Sequence, residues 1–362
     1  MRSQLKARLA RQARAIFSTI GLCGLLGAAH AADKLVVQAG VPAPNTNAIA
    51  IYVAKQACLF RDEGLQVDLQ YTSGAPLATQ LVAGDKADIA LVSYEPYLLG
   101  YDKGIRGKFF YQAFDRLIYF IGVPVDSDIK SIADLKGRKI GVSNMGSATV
   151  IVGKSMLRSA GLEPVDSAFL PVGIGDSALA ALRGNQVQAV ALWDAAFAGL
   201  ERSGAKFRYL YHPEIADFGN GGYFASDKTL ASKRDQLERF SRALAKANLF
   251  MLANPQQTLE MYWRANPAGK SGLDAASANE KGMAEIRFKS PYFERKKDDT
   301  FGRLDEVLYE KYQKMMKEEG SLATLVPVKS FMDGSLLPAA NRFDRDAVMQ
   351  KARAWTGSEV CN

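Results

Sequence analysis

Apolar positions along the chain switch repeatedly between a period of two and the helical period. Residues 34–40 form a short β-branched run that reads as a strand. Residues 45–57 place Ile49, Val53 and Ala57 on one helical face. Alternation over 65–71 predicts a strand, and 78–84 a short helix ended by a glycine. Residues 87–93 are apolar almost throughout, as a strand covered on both faces should be. The succession then returns. Strands are predicted at 117–123, 138–143, 168–171 and 189–193, with shorter extended pieces at 207–211 and 223–225. Helices are predicted at 132–136, 148–160 and 177–183. Strands and helices alternating at this spacing imply largely parallel sheets. Beyond Asp227 the pattern is helical, over 232–254, 255–265, 274–288 and 300–319. Two similar α/β units and a helical tail predict two lobes with a cleft between them. The chain is expected to cross between lobes near Val123-Pro124 and Phe224-Ala225. The expected division is 1–31 as a leader, 32–123 plus 225–362 as the first lobe with its helical extension, and 124–224 as the second lobe.

The leader changes the charge picture. Arg2, Lys6, Arg8, Arg11 and Arg14 precede an apolar stretch over 15–29, and Ala29-His30-Ala31 puts small residues where a signal peptidase reads. Cleavage is expected after Ala31, and the protein is expected in the periplasm. The stretch is too short and glycine-rich for a span, which needs about 20 apolar residues. Leu22 is too large for a lipoprotein signal at Cys23. The full chain carries +8, but without the leader 41 basic residues face 38 acidic ones, leaving +3. The basicity therefore belongs mostly to export and gives no reason to expect nucleic acid. The run Arg295-Lys296-Lys297, followed by Asp298-Asp299, reads as a solvated helix end. With 362 residues, 48% hydrophobic and 23% charged, the chain is an ordinary globular composition long enough for two domains. After cleavage His212 is the sole histidine, so no His/Cys metal cluster can be assembled, and no cofactor is expected. Cys58 and Cys361 remain. In an oxidising compartment they could pair, or stand as two separate thiols.

Several short motifs occur in order: IYVAK at 51–55 running into LFRDEGLQV at 59–67, LVAGDKAD at 81–88, IADLKGRKIGV at 132–142 and ALRGNQVQA at 181–189. Together they resemble the periplasmic substrate-binding proteins of ABC importers, in the group for sulfonates, taurine, nitrate and thiamine-precursor pyrimidines. The resemblance covers about residues 34–265. It implies an α/β, two-lobed, type II-like periplasmic binding fold with a central cleft and a helical C-terminal tail. It also implies a small-molecule ligand, an inner-membrane permease as partner, no catalysis, and a monomer. Most motif residues specify fold. Phe60 seals a helix end, Gly64 permits the next turn, and Leu135, Ile140 and Val142 pack a lobe core. One departure is Cys58, where the family usually has glycine. A cysteine there needs another way to turn or a covalent partner, which is the main argument for a Cys58–Cys361 bridge.

Ligands of open α/β sheets sit beyond the carboxyl ends of the strands, so the loops after strands supply the candidates. Asn45 and Thr46, with Asn47, open the first helix and serve equally as caps or as donors to a ligand. Ser73 and Gly74 precede a helix whose free N–H groups suit an anionic or carbonyl oxygen. Ser93, Tyr94 and Glu95 follow the third strand. There a carboxylate beside a phenol would select an amino-bearing heterocycle, or the acid merely complements the helix dipole. This stretch resembles the pyrimidine-precursor branch more than the sulfonate branch. Asn144, Gly146, Ser147 and Thr149 resemble the family's anion-contacting turn, and equally make a good helix cap. Trp193 could stack on a flat ligand with Asp194 accepting from it, or the two are lobe core and cap. The glycine-rich stretch 219–222 lacks Walker spacing and reads as a hinge or cleft loop.

These residues favour capture of a flat nitrogenous or aromatic compound, such as a pyrimidine-type thiamine precursor. An anion of the sulfonate, taurine or nitrate type is the alternative. A different class is an enzyme, since the fold also resembles a pyrimidine synthase that consumes its own histidine. That family's cysteine-rich signature is absent here. A third class is a sensory binding protein without a transporter.

Overall fold

The computed structural model describes residues 32–362 except 217, 220, 271, 294–299, 358, 360 and 362. The expected leader, the basic run at 295–297 and its following acids lie outside the described residues. The chain from Asp33 onward builds two five-stranded sheets. The first has the order β2-β1-β3-β10-β4, from β1 (Asp33–Ala39), β2 (Leu65–Tyr71), β3 (Ile89–Val92), β4 (Lys108–Gln112) and β10 (Gly222–Ala225). The second has the order β7-β6-β8-β5-β9, from β5 (Tyr119–Pro124), β6 (Lys139–Val142), β7 (Ala168–Pro171), β8 (Ala189–Trp193) and β9 (Phe207–Leu210). Strands joined by helical crossovers within a lobe pair in parallel. The strands that enter directly from the other lobe, β5 and β10, run antiparallel to both neighbours.

That pairing moves the lobe boundaries. β5 belongs to the second sheet, with Tyr119 opposite Trp193, and β10 to the first, with Gly222 opposite Val92. The chain therefore crosses at 113–118 and 211–221, not at Val123-Pro124 and Phe224-Ala225. Both strands are almost wholly buried, so their apolar pattern announces a strand without saying which sheet receives it. Strand β4, unexpected from sequence, is the edge partner of β10. Gly219, in the second crossing, passes so close to the first that a Cβ there would meet Gln112 Nε2 at 2.0 Å and the Phe114 carbonyl at 2.7 Å.

The helices that position the cleft are α1 (Ile49–Gln56), α2 (Ala75–Ala83), α3 (Glu95–Gly100), α4 (Ala148–Ser159), α5 (Asp176–Arg183) and α6 (Asp194–Arg202). The expected helix over 232–254 is α8 (Arg234–Ala253), preceded by a short helix not expected from sequence, α7 (Asp227–Ser232), which Ser226 caps. The tail continues through α9 (Pro255–Ala265), α10 (Ala275–Lys289), α11 (Glu306–Glu318) and α12 (Arg345–Ala354). The expected helix at 300–319 begins only at Glu306, because Asp305 caps it and Phe301 bonds instead to Asn341. None of the described helices is long and apolar enough to cross a membrane.

Cys58 and Cys361 form a disulfide, their Cα atoms 5.1 Å apart across 303 residues of chain. Cys58 is fully buried and left-handed (φ +64°), a conformation that favours glycine. The tail reaches it because α12 packs along α8 and the Cys361 amide donates to the Gln56 carbonyl at 3.3 Å. Cys361→Ser is expected to lower stability to urea by about 2–4 kcal/mol. Reductant should bring the parent protein to the variant's midpoint and leave the variant unmoved.

Candidate functional site

Six helices, α1 to α6, begin at the gap between the sheets, each following a strand from one lobe or the other. A cavity of about 300 Å³ lies there. Of the residues selected from sequence, Asn45, Ser73, Gly74 and Ser93 line it from the first lobe, and Asn144, Gly146, Ser147 and Trp193 from the second. The crossing segments contribute Phe114, Ile118 and Gly221. Gly221 falls in the glycine-rich stretch that the sequence marks as a hinge or cleft loop. Phe114 and Ile118 carried no such signal, because crossing points follow from sheet pairing and not from local pattern.

The helix starts keep their own geometry in order. Asn45 Oδ1 accepts from the Asn47 amide at 2.9 Å, and Asn144 Oδ1 from the Gly146 amide at 3.0 Å. Ser147 Oγ accepts from the Thr149 amide at 3.3 Å. Gly74 before α2 and Gly175 before α5 provide no side-chain cap, so those first-turn N–H groups are not taken by a capping side chain. No Asp, Glu, Lys, Arg or His among the described residues lines the cavity. Its polar groups are amides, hydroxyls and backbone, and its apolar groups include Phe114, Tyr119 and Trp193. Burial pushes the Tyr119 phenol well up, so it stays a neutral hydrogen-bonding group. The buried Trp193 Nε1 has no hydrogen-bond partner among the described residues.

Five candidates are placed elsewhere. Tyr94 is buried in the first lobe, edge-on to Phe109, and its hydroxyl hydrogen-bonds Tyr309, which donates in turn to Gln112 Oε1 at 2.7 Å. Glu95 is buried one residue on and accepts from the Tyr312 hydroxyl. Both are spent on α11, which local pattern near residue 95 could not reveal. Thr149 turns inward, 1% exposed, with its hydroxyl 2.9 Å from Ser147 Oγ. Thr46 is buried under the first helical turn. Asp194 is fully buried, accepts from the Ala195 amide at 2.7 Å, and forms an ion pair with Lys289 of α10. At three of these positions the carboxylate or phenol meets a tail residue 95 or more positions away.

A match to the family described as NMT1/THI5 like runs over residues 45–258, more than half of the chain. The chain belongs to the NMT1/THI5-like family. Among curated relatives, a thiamine biosynthesis protein of Haemophilus influenzae is 27% identical over 240 residues, covering 62% of this chain and 71% of its own. A Candida albicans protein named 4-amino-5-hydroxymethyl-2-methylpyrimidine phosphate synthase is 26% identical, covering 62% and 70%. A binding protein of Brucella abortus is 21% identical, covering 70% and 78%. Among solved structures, the periplasmic aliphatic sulphonate binding protein SsuA of Escherichia coli superposes with a TM-score of 0.65 at 16% identity, covering 83% of this chain and 92% of its own. The alkanesulfonate-binding SsuA of Xanthomonas axonopodis superposes at 0.62, with 18% identity and 85% and 97% coverage. The desulfurization enzyme DSZB superposes at 0.54 with 17% identity, covering 85% and 98%. This NMT1/THI5-like protein thus has the periplasmic binding-protein fold of ABC importer components.

Glu95 and Tyr312 separate support of the fold from contact with a ligand. Tyr312→Phe removes a hydrogen bond to a buried carboxylate and is expected to cost about 1.5–3 kcal/mol of stability, read by urea denaturation. Its effect on the occupancy of the cleft by any solute should be small, since neither side chain lines the cavity.

Proposed function

We propose that this protein is the periplasmic solute-binding component of an ABC importer, closing two lobes on a small organic anion that carries a flat or apolar body. An arylsulfonate or aryl carboxylate is the chemistry that fits best. The observation that carries this reading is the interlobe cavity itself. Helices α2, α4 and α5, each of eight residues or more, are among those that begin at its wall, and no charged side chain among the described residues lines it. First-turn N–H groups and the serine and asparagine side chains would hold the anionic oxygens. Phe114, Tyr119 and Trp193 would cover the body, with Trp193 Nε1 free to donate. Lobe closure around the solute would present a surface to an inner-membrane permease, with the protein acting as a monomer. No step in this reading requires catalysis.

A pyrimidine-type thiamine precursor is the second reading. It draws support from the relatives named for thiamine biosynthesis and pyrimidine phosphate synthesis, and from the aromatic wall of the cavity. It is less well supported than sequence alone suggested. Tyr94 and Glu95, which argued for an amino-bearing heterocycle, are engaged by α11.

A thermal-shift screen tests both. Benzenesulfonate, benzoate, taurine, nitrate and 4-amino-5-hydroxymethyl-2-methylpyrimidine are compared at matched concentrations. A ligand at 100 times its Kd adds about 2.7 kcal/mol, which for a chain of this length raises the melting midpoint by roughly 4 °C. We expect the aryl anions to produce that shift and Trp193→Ala to abolish it. A shift with the aminopyrimidine alone would replace the anion reading by the second one.

A further inference from the structure

Helix α10 belongs by its packing to the first lobe. Gly282 lies so close to α9 that a Cβ there would meet Leu259 at 2.7 Å and Trp263 at 2.8 Å. Helix α9 in turn packs on α1 and α8. From this base α10 reaches across to the second lobe. Glu285 pairs with Arg202 of α6 at 2.5 Å, and Lys281 Nζ donates to the Arg202 carbonyl at 3.3 Å. Burial raises the Glu285 carboxyl, with Arg202 opposing that rise.

Lys289, the last residue of α10, makes the most consequential of these contacts. Its side chain is 3% exposed. The ammonium donates to Asn47 Oδ1 at 2.6 Å, pairs with Asp194, and stands 4.4 Å over the Phe114 ring. Asn47 lines the cavity from the first lobe, and Phe114 lines it from the crossing. Asp194 directly follows Trp193, which lines it from the second lobe. One buried cation therefore touches, or is one residue removed from, all three parts of the binding wall. Any rotation of the second lobe about its crossings must stretch this contact set, and a buried ion pair resists losing one partner far more than a surface pair does. Helix α11 adds a second tie, since Arg158 of α4 donates to the Glu318 carbonyl at 2.7 Å and pairs with Glu319 at 3.3 Å.

We propose that Lys289 is a positioning residue for ligand capture: a buried strut from the C-terminal extension that holds the two lobes at the angle where Trp193 faces Asn47 and Phe114. The extension, and not the crossings alone, then sets the resting geometry of the cleft. This deepens the solute-binding reading and rests on it for its purpose, but its structural content does not depend on the ligand. A ligand-free protein with the strut intact samples a narrow range of lobe angles, and loss of the strut widens it.

The experiment places nitroxide labels at Leu99→Cys in the first lobe and Val165→Cys in the second, both exposed, in protein lacking residues 1–31 and with Cys58 and Cys361 bonded. Interlobe distances are measured by double electron–electron resonance without ligand. Lys289→Met leaves Asp194 buried and uncompensated, so Lys289→Met/Asp194→Asn is made beside it to restore folding. We expect a single narrow distribution in the parent protein and one roughly twice as wide in the double variant. Benzenesulfonate affinity should fall about tenfold in the double variant. A double variant that folds with the parent's distance distribution overturns the strut. Absence of any benzenesulfonate binding by the parent protein counts against the anion reading only, while the distance measurement still decides the role of Lys289.

Discussion

A polar group taken out of water must find a partner, and in this protein the C-terminal helices supply the partners. Asp194 meets Lys289, Tyr94 meets Tyr309, and Glu95 meets Tyr312. An ionised or hydrogen-bonding group left alone in such a site would cost several kcal/mol. These contacts therefore dictate where the tail lies. The tail's position dictates how the two α/β lobes are held, because α10 and α11 each rest on the first lobe and reach the second.

The cleft owes its chemistry to a different constraint. Parallel strands place their carboxyl ends, and the starts of the helices that follow, at one edge of the sheet. Two such edges facing each other bring helix starts from both lobes to one cavity. The site can then be polar without being charged, since the first-turn N–H groups supply positive potential from the backbone. Charged side chains sit just behind the wall, as Lys289 does behind Asn47 and Phe114, and are neutralised there. That division leaves the cavity wall to aromatic and amide groups and places the buried ion pairs behind it.

The disulfide belongs to the same economy of long connections. At Cys58 the chain turns through a left-handed conformation, where glycine is the easy choice. A cysteine in its place carries a bond to the end of the tail, so the segment that braces the lobes is itself tied to the first lobe's opening helices. The turn accepts a conformational penalty and the fold gains a covalent anchor for its extension.

Local pattern along the sequence determined the elements and the loops that end them. Strands 65–71 and 189–193 and the helix at 255–265 are legible because each residue's apolar period reflects the face it buries. The strand-end loops were legible for the same reason, and eight of the residues they hold, from Asn45 to Trp193, reach one cavity. Tertiary structure alone decided which sheet takes β5 and β10, where the lobes join, and which polar side chains line the cavity. Tyr94, Glu95 and Asp194 have the chemistry of a site, but their partners stand 215, 217 and 95 residues away. Pairing across such distances is settled by burial and desolvation in the folded whole, and neither leaves a mark in the neighbouring sequence.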